Sequence, residues 1–63
     1  MYTLTIEYEV KLIGNTQWTF LFDEYNRAID GFISQVKAFM EWKKKICIRL
    51  VNDKELIAEY KIS

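Results

Sequence analysis

Four glutamates could carry out acid–base chemistry if the fold brought them together. Glu7 and Glu9 lie in the first predicted strand, and Glu55 and Glu59 lie in the last. Two carboxylates move protons for a substrate when their environments, usually a cleft, separate their pKa values. All four lie on the polar side of their strands among basic residues, where surface ion pairs account for them. We therefore expect the protein not to be an enzyme.

One cysteine and no histidine leave few nucleophiles and metal ligands. Cys47 is predicted to point away from the core, with Lys45 and Arg49 on the same side. Nearby cations can lower the pKa of a thiol, but one cysteine builds neither an internal disulfide nor a zinc site. The chain has no phosphate-binding loop, dinucleotide fingerprint or catalytic-triad motif. We expect no catalytic residue, cofactor or metal.

A basic segment, residues 43–49, offers the alternative function of nucleic-acid binding. It follows Trp42, and Lys54 lies beyond it. Lysines beside an aromatic ring can bind phosphates and stack a base. However, cations also suit the C-terminal end of a helix, and nine basic residues are balanced by nine acidic ones, whereas nucleic-acid binders usually carry a positive excess. The candidate contacts are Lys43, Lys44, Lys45 and Arg49.

The chain of 63 residues predicts one small domain, residues 1–63. A domain of this size buries only about 60% of its unfolded surface, so it needs a dense core or a partner. A hydrophobic fraction of 51% permits both. No secretory leader or membrane-spanning pattern is evident, so we expect a cytoplasmic protein without membrane contact.

The first two predicted strands form a hairpin. Alternating apolar residues run from Tyr2 to Leu12, and Gly14-Asn15 is a turn pair. The second strand places Trp18, Phe20 and Phe22 on one face. An odd loop centred on Asn15 matches the apolar faces of the two strands, and it predicts three pairs: Leu12 with Trp18, Val10 with Phe20, and Tyr8 with Phe22.

A helix follows, with Asp23 as its predicted N-cap. Apolar residues recur at helical spacing from Tyr25 to Met40, but the next position at the centre of this stripe is Lys43. The helix is therefore expected to end near Trp42. Two further strands carry inward residues 46, 48, 50 and 56, 58, 60, 62, joined by an odd loop centred on Asp53. The expected core comprises Tyr8, Trp18, Phe20, Phe22, Ile29, Phe32, Val36, Phe39 and Ile48.

The pattern predicts an α+β fold in the order ββαββ, with one helix on one face of a four-stranded mixed sheet. The favoured strand order is 2-1-4-3, because the long first strand suits a central position. This order of elements resembles that of small β-grasp domains, a likeness of topology that implies no function. The alternative order places strands 2 and 3 in the centre.

Two surfaces are candidates for binding a protein. The segment 16–22 is predicted to be an edge strand without Pro or Lys, the usual guards against pairing. One flank of the helix, predicted to lie away from the sheet, combines small residues that include Gly31 with Trp42, and glycine within a helix is costly. The predicted partner-binding residues are Gln17, Thr19, Leu21, Gly31, Gln35, Ala38 and Trp42.

We therefore predict a small protein-binding module, an intracellular inhibitor, regulator or accessory subunit of the kind that phages and mobile elements encode. The third predicted strand is the guarded edge, because Lys45 and Arg49 discourage pairing with another chain. The second predicted strand is the edge that binds a partner. Pairing of the second strand with a second copy predicts a homodimer.

Overall fold

The computed structural model describes residues 1–10, 12–41 and 45–62. They form the strands β1 (Tyr2–Val10), β2 (Gly14–Phe22), β3 (Ile46–Asn52) and β4 (Glu55–Ile62), with the helix α1 (Tyr25–Phe39) between β2 and β3. The four strands form one sheet, and α1 packs on one of its faces. The predicted α+β class and the ββαββ order are confirmed.

The strand order is β2-β1-β3-β4, and every neighbouring pair is antiparallel. The predicted mixed order 2-1-4-3 is wrong, and so is the alternative with strands 2 and 3 in the centre. The internal position predicted for the first strand is confirmed. The likeness to β-grasp domains therefore ends at the order of elements along the chain.

Side-chain chemistry explains why β3, and not β4, lies beside β1. On the outer face of β3, Cys47 and Val51 are half-buried. Apolar side chains on both faces suit an internal strand, whereas charged ones suit an edge. The helix-facing residues of β3 are fully buried: Ile46, Ile48 and Leu50. Along β4, exposed charged residues alternate with apolar ones: Glu55, Glu59 and Lys61.

The first hairpin has an odd loop, as predicted, but the loop lies three residues earlier. Val10 pairs with Gly14, so the loop is centred on Leu12. The Ile13 N–H donates to the Val10 carbonyl oxygen at 3.1 Å, and Gly14 then takes a φ of +92°. Glycine adopts a positive φ without steric cost, so Gly14 ends the turn and does not form its centre.

This shift changes the partners of the aromatic residues but not the face they occupy. Trp18 lies opposite Ile6, while Leu12, predicted to pair with Trp18, is 98% exposed in the turn. Only an odd shift of register moves a strand's side chains to the other face. Trp18 and its inward neighbours therefore remain on the helix side of the sheet.

The second hairpin has a two-residue loop, Asp53-Lys54, and the predicted odd loop is wrong. Asn52 pairs with Glu55 across it. Asp53 has a φ of 53°, in the left-handed region that aspartate tolerates better than most residues. An even loop alone would turn the glutamates of β4 towards the helix.

A β-bulge in β4 turns the apolar side chains of this strand back towards the helix. Leu50 pairs with Ala58, but the adjacent Val51 pairs with Leu56, which leaves Ile57 as the extra residue. A bulge sets two residues of one strand against one of its neighbour. The apolar residues Ala58, Tyr60 and Ile62 thereby return to the helix side. Each inward residue of β3 pairs with a residue of β4 two positions later than the pattern predicts.

The helix α1 starts and ends close to the predicted positions, but its predicted cap is wrong. The N-cap is Glu24 rather than Asp23, and it makes no side-chain capping hydrogen bond. Its carboxylate instead lies 3.5 Å from the Arg27 guanidinium. The helix ends at Phe39, and Trp42, near which the end was expected, lies outside the described residues.

The helix runs along the direction of β1. At its start the Tyr25 ring lies 5.8 Å from the Tyr2 ring, and at its end the Phe39 ring lies 6.2 Å from the Tyr8 ring. Fifteen helical residues span about 22 Å, and the six steps from Tyr2 to Tyr8 span about 20 Å. The helix is therefore as long as the part of the sheet it covers.

The core lies between α1 and the central strands. The predicted core is wrong for Trp18 and Phe20, which are exposed. A helix about 10 Å wide cannot cover four strands spaced about 4.8 Å apart, so the aromatic residues of the edge strand lie beside it. The fully buried residues are Leu4, Ile6, Ala28, Ile46, Ile48 and Leu50. Half-buried residues around them include Tyr8, Phe22, Ile29, Phe32, Val36 and Phe39.

Candidate functional site

The strand β2 forms one edge of the sheet, and its nine residues include no charged residue and no proline. On the face away from the helix, Gln17, Thr19 and Leu21 are exposed, Leu21 by 64%. Edge strands usually carry a charge, a proline or a bulge that discourages pairing with another chain. The three partner-binding residues predicted on this strand thus lie on an unguarded edge.

The alternation of pairs across the sheet shows which backbone groups of β2 are free. In an antiparallel sheet, successive residues direct their N–H and C=O groups to opposite neighbouring strands. The two-residue loop makes Asn52 and Glu55 a hydrogen-bonded pair, so the even-numbered residues of β3 bond to β4 and the odd-numbered ones to β1. By the register, the odd-numbered residues of β1 therefore bond to β3 and its even-numbered residues bond to the even-numbered residues of β2. Four odd-numbered residues of β2 direct their N–H and C=O groups away from the sheet: Asn15, Gln17, Thr19 and Leu21.

Two exposed aromatic side chains border the same edge on the helix side. Trp18 is 54% exposed and Phe20 38%. The Trp18 Nε1–H donates a hydrogen bond of 3.0 Å to the Tyr8 hydroxyl, and the Tyr8 ring in turn lies against Phe39 of α1. These contacts hold the indole in place, so the edge presents an ordered aromatic surface of the type found at binding hot spots.

The helix approaches β2 at Gly31. A Cβ atom built on Gly31 would lie 2.7 Å from Cζ of Phe22, closer than two carbon atoms approach without a bond. The sequence pattern placed Gly31 on the side of the helix away from the sheet, and this position is wrong. Glycine is present because the Phe22 ring packs against the helix backbone there.

The remaining residues of the predicted helix flank share the side of Gly31. Gln35 is half-buried, and Ser34 and Ala38 are exposed. Positions three, four and seven residues apart lie on one side of a helix, so this flank borders the aromatic side of β2. Trp42, the last predicted residue of the flank, lies outside the described residues. The two candidate surfaces therefore adjoin, with Trp18 and Phe20 exposed beside them.

The opposite edge of the sheet is β4. Its exposed side chains include Glu55, Glu59 and Lys61, and the bulge at Ile57 interrupts its pairing surface. Charges and bulges are the devices that keep edge strands from associating. The prediction that the third strand is the guarded edge is wrong, because β3 is internal, but the contrast between a guarded edge and an open one remains.

The basic segment is only partly accessible to a phosphate. Lys45 is exposed before β3, and the Arg49 Nε–H donates to Glu59 Oε2 at 2.8 Å. This hydrogen bond, together with the nearby Cys47 and the charge of Glu59, raises the pKa of Arg49. The guanidinium charge is thus matched by a carboxylate. Lys43 and Lys44 lie outside the described residues.

The residues that could bind a metal or move protons lie apart in the part of the chain that the structure describes. Within residues 1–10, 12–41 and 45–62, no three His, Cys, Asp or Glu side chains cluster as metal ligands. Glu7 lies opposite Cys47, while Glu59 lies opposite Arg49, so the two glutamates are not neighbours. The helix in this part of the chain is neither long nor apolar enough to cross a membrane.

An open depression of about 370 Å³ lies at the end of the sheet near Tyr8. Its wall mixes acidic Glu7 and Glu9 with basic Lys45 and Lys61. Opposite charges around an open depression pair with each other and with water rather than select one ligand. This depression was not predicted, because it depends on β1 and β3 being neighbours.

Sequence reasoning also missed an apolar turn next to the open edge. Leu12 and Ile13 join β1 to β2, and Ile13 is 78% exposed. The alternation of β1 suggested that Leu12 faces the core, whereas Leu12 lies in the turn between Val10 and Gly14. Two apolar residues directly before Gly14 were the available signal that the turn starts earlier.

Comparison with known proteins finds no family model, no curated protein and no solved structure that matches this chain. Function is therefore inferred from its own residues, of which the open edge of β2 has the clearest chemical consequence.

Proposed function

We propose that this protein is a small non-enzymatic protein-binding module that acts through the edge of β2 and the adjoining flank of α1. The role is that of a cytoplasmic inhibitor, regulator or accessory subunit. One observation carries the proposal: β2 is an uncharged edge strand whose outward backbone groups lie beside exposed side chains on both faces. Free N–H and C=O groups in a row bind another extended strand by β-augmentation.

The side chains around the edge indicate the kind of strand that fits. On the open face a docked strand would meet Thr19 and Leu21, and on the helix side it would meet Trp18 and Phe20. No charged side chain of β2 is available to pair with a charged one. The favoured partner segment is extended and predominantly apolar on both faces, and the backbone supplies the affinity while alternate side chains supply selectivity.

The proposal is tested by capturing the target with variants of the two edges. Leu21→Lys adds a guard charge to β2, and Glu55→Lys reverses a charge on β4, where charge is already present. We expect Leu21→Lys to lose a target from the native host that the unmodified chain and Glu55→Lys both retain. Circular dichroism must show that both variants are folded.

The captured target is then purified and mixed with the chain for amide hydrogen exchange. The amides of Gln17, Thr19 and Leu21 should exchange quickly in the free monomer and slowly in the complex, because their N–H groups gain strand partners. Capture that is indifferent to Leu21→Lys, or slow exchange that appears only on β4, would overturn the proposal.

A further inference from the structure

The open edge of β2 is also complementary to itself. We propose that, when no target is bound, two copies of the chain pair antiparallel through β2 about a two-fold axis that passes beside Trp18. The inference deepens the proposed function and rests on it, because it names a second copy as the resting occupant of the same edge.

An axis at Trp18 uses the whole strand. Since β2 covers residues 14–22, this axis sets Gly14 opposite Phe22 of the second copy, Gln17 opposite Thr19, and Trp18 opposite Trp18. The odd-numbered residues of β2, whose N–H and C=O groups point outwards, then lie opposite odd-numbered residues of the second copy. Hydrogen bonding between antiparallel strands requires this match. An axis between two residues pairs odd with even positions, and an axis at another residue leaves strand ends unpaired.

The side chains brought together by this register are compatible. No charged residue occurs in β2, so the pairing places no like charges opposite each other. Trp18 meets its counterpart at a non-hydrogen-bonded pair, where side chains lie closest. Two indoles in contact are stabilised by apolar burial and by favourable ring geometry. The strand is thus self-complementary in its backbone and in its side chains.

The symmetry also covers the aromatic surface that one helix is too narrow to cover. A two-fold axis perpendicular to the sheet joins the two sheets into one of eight strands and keeps both helices on the same face. Trp18 and Phe20 of both copies then lie between the two helices, beside the flanks that contain Gly31. A chain this small gains buried apolar area most readily by such association.

A second copy and a target strand cannot occupy the edge at the same time. Self-pairing therefore protects the edge from unspecific strand addition, and the target must compete with the dimer. Target binding would convert the dimer to a monomer bound to its target, so the apparent affinity for the target falls as the concentration of the chain rises.

Charge substitutions on the axis test the register in the full-length chain. Trp18→Lys and Trp18→Glu each place like charges opposite each other and should weaken self-association by about tenfold or more, measured by sedimentation equilibrium. An equal mixture of the two should form a heterodimer, because the opposite charges then meet. Trp18→Gln removes the indole without adding a charge. Mixing it with either charged variant should not restore association.

Disulfide trapping provides a second measurement that keeps Trp18. In a Cys47→Ser background, a mixture of Gln17→Cys and Thr19→Cys should oxidise to a covalent heterodimer, since these positions face each other and paired strands bring their Cα atoms within disulfide range. Neither variant alone should cross-link. Rapid cross-linking of Thr19→Cys alone would overturn the axis at Trp18.

Failure of this inference can be separated from failure of the proposed function. A chain that stays monomeric at about 1 mM overturns the dimer, and the protein-binding function stands if Leu21→Lys still abolishes target capture. A Trp18-dependent dimer whose target capture ignores Leu21→Lys confirms self-pairing and overturns target binding at this edge.

Discussion

The ring of Phe22 occupies the space that a side chain at position 31 would need: its Cζ lies 2.7 Å from the Cβ position of Gly31. This contact joins the edge strand to the helix. It also explains a glycine in the middle of a helix, which costs about 1 kcal/mol relative to alanine.

Gly31→Ala should therefore fail to stabilise the protein, because the gain in helix propensity is offset by displacement of the Phe22 ring. In a Phe22→Leu background, where the smaller side chain leaves space, the same substitution should stabilise by up to about 1 kcal/mol. Urea denaturation of the four proteins gives the coupling between the two sites. Equal stabilisation in both backgrounds would show that the close contact has no energetic consequence.

Ile48→Ala should cost about 2–5 kcal/mol, because Ile48 is fully buried at the centre of the core. A domain of this size has a total stability of roughly 3–9 kcal/mol, so the variant should lose a large share of its stability. Phe20→Ala, on the exposed edge, should cost clearly less. Thermal unfolding followed by circular dichroism compares them, and a reversed order would contradict the assignment of the core.

Asp53→Val should destabilise the protein by about 1–2 kcal/mol, because Asp53 has a φ of 53° that β-branched residues adopt only with strain. Lys54→Val, in the same loop without a positive φ, is the matched control and should cost less. Asp53→Gly should be neutral or stabilising. Urea midpoints measure all three, and similar losses for both valine variants would rule out backbone strain as the cause.

The nucleic-acid alternative, using Lys43, Lys44, Lys45 and Arg49, makes a separate prediction about salt. Binding through phosphate contacts loses affinity steeply as the salt concentration rises, whereas binding through an uncharged strand edge does not. We expect labelled single-stranded DNA to show no tight binding in fluorescence anisotropy at physiological ionic strength. Tight binding that weakens steeply with salt, and that Arg49→Gln reduces, would instead favour the alternative.

Local patterns predicted the elements and their faces well. Alternation in β1 and β2 indicated a half-buried hairpin, and helical spacing from Tyr25 to Phe39 indicated one amphipathic helix. These predictions succeed because the period of two or 3.6 residues is a local property of the backbone. The open edge at β2 was predicted for the same reason, from a strand that lacks charges.

Pairing partners could not be predicted with the same success. Gly14-Asn15 has the composition of a turn, yet Gly14 serves as the positive-φ residue that follows one. The bulge at Ile57 allows an even loop to coexist with matched apolar faces, and alternation alone cannot distinguish this from an odd loop without a bulge. Both errors concern where a strand pairs, which depends on distant residues.

Exposure of Trp18 and Phe20 could not be predicted because it depends on strand order. An inward-facing aromatic residue is buried only if the helix lies above its strand. With the helix over β1 and its neighbour β3, residues at the edge lie on the inward face without being covered. The surface now proposed to bind a partner is thus a product of the fold rather than of a motif.

The ladder between β1 and β3 has a consequence for how the protein folds. Its partners, from Tyr8 with Ile46 to Tyr2 with Asn52, are about 40 to 50 positions apart in the chain, so their contact must overcome the entropy of closing a long loop. The two hairpins close over short loops and can form within microseconds. Union of the two halves along this ladder should therefore limit the folding rate, and until it occurs β1 as well as β2 exposes an unpaired edge to other chains.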